Sequence, residues 1–233
     1  MNQDQPVYHE LIYRPKAEEP TVIVSVCLVR TREDAIPFIS SLEVNHLYTD
    51  MYKLMENKTA LYLHSRINYG ANRSVEKLFG PLEECCKRVW KSKEMTEYLN
   101  ITENPIPWGS QLQENDVPWP VMATLIQAKN VSDSIYLSVK IYIDRQELGV
   151  EDVPNWDNYR DVESAVTFYP VRVSGSANVT ISPAEGSTLA PLLNGMEVFY
   201  VIDVLNGEHG HLLSFPLALL VIVLHLFGIF SSY

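Results

Sequence analysis

Apolar and polar positions alternate, or run β-branched, over residues 21–27, 60–66, 121–126, 134–143, 165–169, 178–181 and 197–202. A period of two puts alternate side chains on one buried face, which is the signature of strands and not of helices. Turn formers separate these stretches: Tyr69-Gly70, Asn104-Pro-Ile-Pro107, Gly109, Pro118, Pro120, Pro154-Asn155, Gly175 and Gly186. Helical period is scarce, and its best candidate, 75–90, is broken by Gly80-Pro81. The pattern predicts an all-β chain built as an antiparallel β-sandwich. Thirteen Tyr and four Trp suit its half-buried pleated positions.

The C-terminus departs from that pattern. From Leu212 to Phe230 the apolar run is interrupted only by Ser214, Pro216, Ala218, His225 and Gly228, and no charged residue follows Glu208. As a helix this run is about 28 Å long, close to the roughly 30 Å of a hydrocarbon core. Its apolar residues favour insertion by about −4 to −8 kcal/mol before the Pro, His and Gly are subtracted. The expectation is a C-terminal hydrophobic helix, 212–230, acting as a transmembrane or anchor segment. A glycolipid attachment signal is the alternative, although Asn206-Gly207 sits close to the run for the usual polar spacer.

Two octapeptides match in class. Pro37-Phe-Ile-Ser-Ser-Leu-Glu-Val44 recurs as Pro191-Leu-Leu-Asn-Gly-Met-Glu-Val198, each after a β-rich stretch. The repeat divides the chain into a remnant of a first unit, 1–47, a second β-sandwich unit, 50–206, and the segment 212–230.

Composition then limits function. A formal net charge of −11, from 18 Lys plus Arg against 29 Asp plus Glu, has the wrong sign for gripping a phosphate backbone, so nucleic acid is excluded as a partner. Three cysteines, two of them the adjacent Cys85 and Cys86, do not form the framework of a disulfide-stapled miniprotein. N-x-S/T sequons at Asn57, Asn72, Asn100, Asn130 and Asn178 exceed the about two that chance supplies, which favours a chain facing the secretory lumen or cell exterior. Met1-Asn-Gln-Asp-Gln begins without the basic start and apolar run of a signal peptide, so the expectation is a truncated product.

The ordered motifs resemble the plant malectin-like domain, found outside the membrane in receptor-like kinases, often beside leucine-rich repeats. Ile36-Pro-Phe-Ile-Ser-Ser-Leu-Glu-Val44 is similar to its PFISxLEL element, Arg66-Ile-Asn-Tyr-Gly70 to R-x-N-[FY]-G, and Arg88-Val-Trp90 to D-R-I-W. Pro120-Val-Met-Ala-Thr-Leu125, the 136–143 strand and Pro191-Leu-Leu-Asn-Gly-Met-Glu-Val-Phe199 continue the order through nearly 170 residues. The resemblance implies a jelly-roll-like tandem of sandwiches that binds carbohydrate or peptide at the cell surface and catalyses nothing. It also implies that Cys27 is unpaired here. No G-x-G-x-x-G, H-R-D or D-F-G occurs in these residues, so they carry no kinase machinery.

Sugar binding needs aromatic faces for the C–H faces of pyranoses and planar polar groups for their hydroxyls, set in loops on a rigid scaffold. Tyr69, Trp90, Trp108, Trp119, Trp156 and Tyr159 lie near predicted turns, with Asn68, Asp157 and Asn158 close by. From these the ligand-binding candidates are Tyr69, Trp90, Trp156, Asp157 and Tyr159; for Tyr69 and Trp90 core packing is the competing assignment. No catalytic residue, metal site or cofactor is expected. Glu43 and Glu197 are carboxylates, but as repeat equivalents they have no reason to face one glycosidic bond, and structural salt bridges account for them. His209-Gly-His211 supplies two metal ligands without a third. The reading is a membrane-attached, extracellular, non-catalytic module for carbohydrate or cell-wall-derived ligands. Its alternatives are a kinase-less partner or decoy that docks to receptor-like kinases or peptides and, more distantly, a glycoside hydrolase.

Overall fold

The computed structural model describes residues 8–14, 26–28, 30, 33–34, 36–47, 51–52, 55, 59–75, 88–102, 117–140, 164–172, 176–183, 185–203 and 219–226. They are almost entirely β. Strands β1 (Leu11–Tyr13), β2 (Thr59–Tyr69), β3 (Lys91–Lys93) and β4 (Leu99–Thr102) come first. One helical turn, α1 (Trp119–Met122), precedes β5 (Thr124–Gln127) and β6 (Ile135–Lys140). Strands β7 (Ser164–Arg172), β8 (Ser176–Ile181), β9 (Leu192–Leu193), β10 (Gly195–Asp203) and β11 (Leu219–Leu226) complete the order.

The large sheet runs β1-β2-β10-β11-β7, with β3 parallel to the end of β2; all its other pairs are antiparallel. Two smaller antiparallel sheets, β4-β5-β9 and β6-β8, pack on it. Alternation along each strand decides the two cores. Met196 and Val198 of β10 meet Ile126, Ile135, Leu137, Val179 and Leu193 from the smaller sheets. Glu197, Phe199 and Val201 point the other way, where Phe199 and Val201 join Leu61, Ile12, Met51, Tyr52 and Met55. The almost all-β, mainly antiparallel architecture agrees with the predicted class, and strands stand where periodicity placed them over 60–66, 165–169, 178–181 and 197–202 and over 135–140 of 134–143, whose residues 141–143 lie outside the described residues. At 121–126 the first residues instead close α1, because Pro118 O accepts bonds from the amides of Val121 and Met122. In the candidate helix 75–90 the two ends form a β-bridge, Val75 with Trp90; residues 76–87 lie outside the described residues.

The C-terminal expectation is corrected. Leu219–Leu226 is a strand, not a helix, paired on one side with β10 and on the other with β7. A strand with neighbours on both sides reads as an unbroken apolar run, just as a spanning helix does, and the β-branched Val221-Ile222-Val223 favours the extended form. No helix among the described residues is long and apolar enough to cross a membrane. Residues 212–218 and 227–230 lie outside the described residues.

The two octapeptides occupy unlike surroundings. The second forms β9 and the start of β10, with Leu193, Met196, Val198 and Glu197 buried. The first forms no strand, and its Phe38 and Val44 are 87% and 83% exposed. Backbone pairing explains the difference: β5, β2 and β11 satisfy the second copy, and no described strand pairs with the first. Within segment 1–47, β1 pairs with β2 and places Ile12 in the second core.

Candidate functional site

The motif residues converge in the interior. Arg66 and Glu197 are direct cross-strand partners in the β2–β10 register, and both side chains are fully buried. Arg66 Nε donates to Glu197 Oε1 at 2.5 Å, while its Nη1 and Nη2 form a fork on the carboxylate of Glu10, 2.6 Å each. Tyr52 donates its hydroxyl to Glu197 (2.8 Å) and accepts from Arg88 Nη1 (2.9 Å). Tyr52 adopts a positive φ of 50°, uncommon for a bulky residue, and this network holds it there. Trp90 lies beneath both guanidinium groups, 5.7 and 5.9 Å from ring centre to Arg66 and Arg88.

Burial opposes charge on Arg66, yet Glu197 and Glu10 hold its pKa well above the ordinary value. Burial likewise pushes the Tyr52 phenol up, so it stays a neutral donor. Among the described residues, the guanidiniums of Arg66 and Arg88 and the carboxylates of Glu197 and Glu10 form one largely buried cluster. It ties Glu10, next to β1, and Tyr52 to β2 and β10.

The remaining motif positions are also architectural. Asn68 Oδ1 accepts from the Thr124 hydroxyl (2.7 Å), and Asn194 Nδ2 donates to the carbonyls of Met122 and Thr124. Gly70 has φ +74°, and a Cβ there would lie 2.1 Å from the Leu125 carbonyl oxygen, so only glycine fits. A Cβ on Gly195 would meet the Trp90 ring at 2.8 Å. Both sequence candidates in these motifs are therefore interior groups: Tyr69 is 1% exposed, inside the first core, and Trp90 is 0% exposed. Trp156, Asp157 and Tyr159 lie outside the described residues, as do Trp108, Asn158, His209, His211, Cys85 and Cys86. Glu43 is exposed and Glu197 buried, so the two carboxylates share no site. Cys27 is free and exposed.

A surface groove of about 330 Å³ lies elsewhere, lined by Glu97, Tyr98, Lys129, Asp133, Ser134 and Tyr136, with Ala128 and Ser132 completing it. Because Ile135 and Leu137 turn into the core, strand alternation throws the Tyr136 ring outwards, 66% exposed. The Tyr98 hydroxyl accepts from the Tyr136 amide (2.7 Å) and donates to its carbonyl (3.3 Å), which fixes one ring against the other strand. Asn130 Nδ2 donates to Asp133 at 2.7 Å. The groove thus presents an aromatic ring beside carboxylates, hydroxyls and an ammonium group. Sequence reasoning missed it because Tyr98 and Tyr136 belong to stretches with no loop signature; the outward phase of 134–143 was the available signal. Of the sequons, Asn72, Asn100, Asn130 and Asn178 are exposed, and Asn57 lies outside the described residues. Among the described residues no group of three or more His, Cys, Asp and Glu is placed to hold a metal ion.

Comparison with known proteins bears on the whole chain. A probable leucine-rich-repeat receptor-like serine/threonine-protein kinase of Arabidopsis thaliana is 28% identical over 229 residues, 86% of this chain and 24% of the relative. A second kinase of that description from the same plant is 23% identical over 85% of the chain and 25% of its own length, and an uncharacterized Arabidopsis protein is 24% identical over 79% and 41%. The chain thus spans about a quarter of the kinase relatives. No solved structure matches it significantly. The family model of the malectin-like domain matches residues 1–150, well over half of the sequence, and the chain belongs to the malectin-like domain family.

Proposed function

We propose that this chain is an extracellular, receptor-like ligand-binding module that takes a carbohydrate or cell-wall-derived ligand and catalyses no reaction. The groove around Tyr136 carries the proposal. Its exposed ring offers a face for the C–H side of a pyranose, and Glu97, Asp133, Ser134 and Lys129 supply acceptors and donors for hydroxyls around it. The volume is at the lower end for small-ligand sites, enough for one or two sugar rings. The kinase relatives support the receptor-like reading, with signalling left to parts of such proteins beyond the matched quarter. Loop residues Trp156, Asp157 and Tyr159 remain part of the proposed binding surface on sequence grounds, and the exposed sequons fit a glycosylated exterior.

The test is a glycan array with the full chain, its Tyr136→Ala variant and its Trp156→Ala variant. Saturable binding lost in Tyr136→Ala supports the groove. Binding lost only in Trp156→Ala moves the site to the 154–160 loop. Release of reducing ends from a cell-wall polymer overturns the non-catalytic reading. One observation favours a second function, docking to receptor ectodomains by protein contact: Ile36, Phe38, Leu42 and Val44 are 86%, 87%, 61% and 83% exposed. Retention on an immobilised receptor ectodomain, lost on Phe38→Lys while the glycan array stays silent, supports that reading over the first.

A further inference from the structure

The Tyr136 groove carries a modification signal on its rim. Asn130-Val131-Ser132 is an N-x-S sequon whose three residues are all exposed, Val131 by 41%. They open a turn in which the Asp133 amide donates to the Asn130 carbonyl at 3.1 Å. Asn130 Nδ2, the atom to which a glycan is joined, lies 2.7 Å from the Asp133 carboxylate. Asp133 and the sequon's own Ser132 both line the groove with Tyr136. The other described sequons lack that placement. Asn100 has its Oδ1 accepting from the Met95 amide at 2.9 Å and its Nδ2 donating to the Met95 carbonyl at 3.0 Å. Asn178 of β8 pairs with Ser138 of β6, and none of residues 72–74, 100–102 or 178–180 lines the groove.

We propose that an N-linked glycan on Asn130 regulates this groove: its N-acetylglucosamine stem lies over Tyr136, and a chain that carries it is closed to an outside saccharide. The inference rests on the extracellular, sugar-binding reading of the same groove. In the transfer a bond forms between Nδ2 and the anomeric carbon of the first N-acetylglucosamine. That carbon's bond to a lipid-diphosphate oligosaccharide donor breaks, the lipid diphosphate leaves, and the amide gives up one proton. The second N–H stays on Nδ2 and keeps the bond to Asp133, so the glycan starts at the groove wall. The lining suits such a stem. The exposed Tyr136 ring takes the C–H face of a sugar, Glu97 and Asp133 accept from its acetamide N–H and hydroxyls, and Lys129 and Ser134 donate to its acetamide carbonyl. The volume, enough for one or two sugar rings, matches the stem as well. Tethering decides the competition: a group linked at the rim meets the groove at an effective concentration on the order of millimolar, so a stem that binds weakly as a free sugar is held in place.

The test compares the full chain made in bacteria, without glycans, and the full chain secreted from insect cells behind a cleavable leader. Glycopeptide mass spectrometry reads occupancy of Asn130, nitration by tetranitromethane reads cover over the Tyr136 ring, and calorimetry with free N,N′-diacetylchitobiose reads the groove itself. Asn130 is expected to be occupied, with Tyr136 nitrated about tenfold more slowly in the secreted chain and chitobiose bound about tenfold or more weakly than by the bacterial one. Tyr8, 64% exposed, is the reference ring and is expected to react alike in both. Secreted Asn130→Gln, with its other sequons intact, is expected to regain both readouts, and Asn178→Gln to regain neither. The two preparations share one sequence, so the comparison stands even if a variant folds poorly. Asn130 found bare overturns the proposal, as do equal Tyr136 nitration in the two preparations and absence of chitobiose binding to the bacterial chain. An array silent for cell-wall glycans while chitobiose binds sinks the Proposed function and leaves this inference; array binding equal in both preparations sinks this inference alone.

Discussion

Replacing Glu197 tests the cluster that joins the sequence motifs. Its carboxylate is wholly buried between Arg66, at 2.5 Å, and Arg88, at 3.8 Å, and accepts the Tyr52 hydroxyl at 2.8 Å. In Glu197→Ala the buried Arg66 and Arg88 guanidiniums lose the carboxylate they share, and Arg66 keeps its fork on Glu10, which is itself 30% exposed. Removing one partner of a buried pair costs about 3–5 kcal/mol, mostly because the other charge is left uncompensated. For a chain of this length each kcal/mol moves Tm by about 2–4 °C, so the expected fall is about 6–20 °C. Glu197→Gln separates charge from cavity, since it keeps the shape and an acceptor for Tyr52 but no charge; it is expected to lose most of the same stability. Guanidinium unfolding followed by tryptophan fluorescence measures both, with Trp90 beside the cluster as reporter. If Glu197→Gln stays within about 1 kcal/mol of the parent, the electrostatic reasoning is refuted and Glu197 is only a space-filler.

Gly70→Ala is expected to cost more than about 2 kcal/mol, because the new methyl meets the Leu125 backbone, whereas Gly186→Ala, also at positive φ but in open space, costs about 1 kcal/mol; paired denaturation curves decide. Tyr98→Phe strips the hydroxyl that holds the Tyr136 backbone and is expected to lower stability by about 1 kcal/mol and to weaken any ligand bound at the groove, read by calorimetry. His64 has its pKa lowered by burial, so the folded state takes its proton at lower pH than the unfolded state. Its contribution is therefore intact above the unfolded value near 6.5 and is lost as pH falls below it towards the folded value. His64→Gln is expected to flatten that part of the stability–pH curve.

The sequence by itself determined the all-β class, most strand positions and the family, because strand alternation and short motifs are local properties of the chain. It also marked Arg66, Asn68, Gly70, Arg88, Trp90 and Glu197 as special without saying why. Only the tertiary structure decided that Arg66, Arg88 and Glu197, as much as 131 positions apart, meet in one buried ion-pair cluster over Trp90, while Asn68 and Gly70 pack against the Thr124–Leu125 backbone and side chain. The reason is that a motif shows which residues are required, while the partner that requires them lies on another strand. The same holds for the apolar run at 219–226: its composition satisfies a membrane helix and a doubly paired strand equally, and the free edges of β10 and β7 chose the strand. Likewise, one octapeptide is buried and its twin exposed, since a strand exists only where neighbours accept its hydrogen bonds.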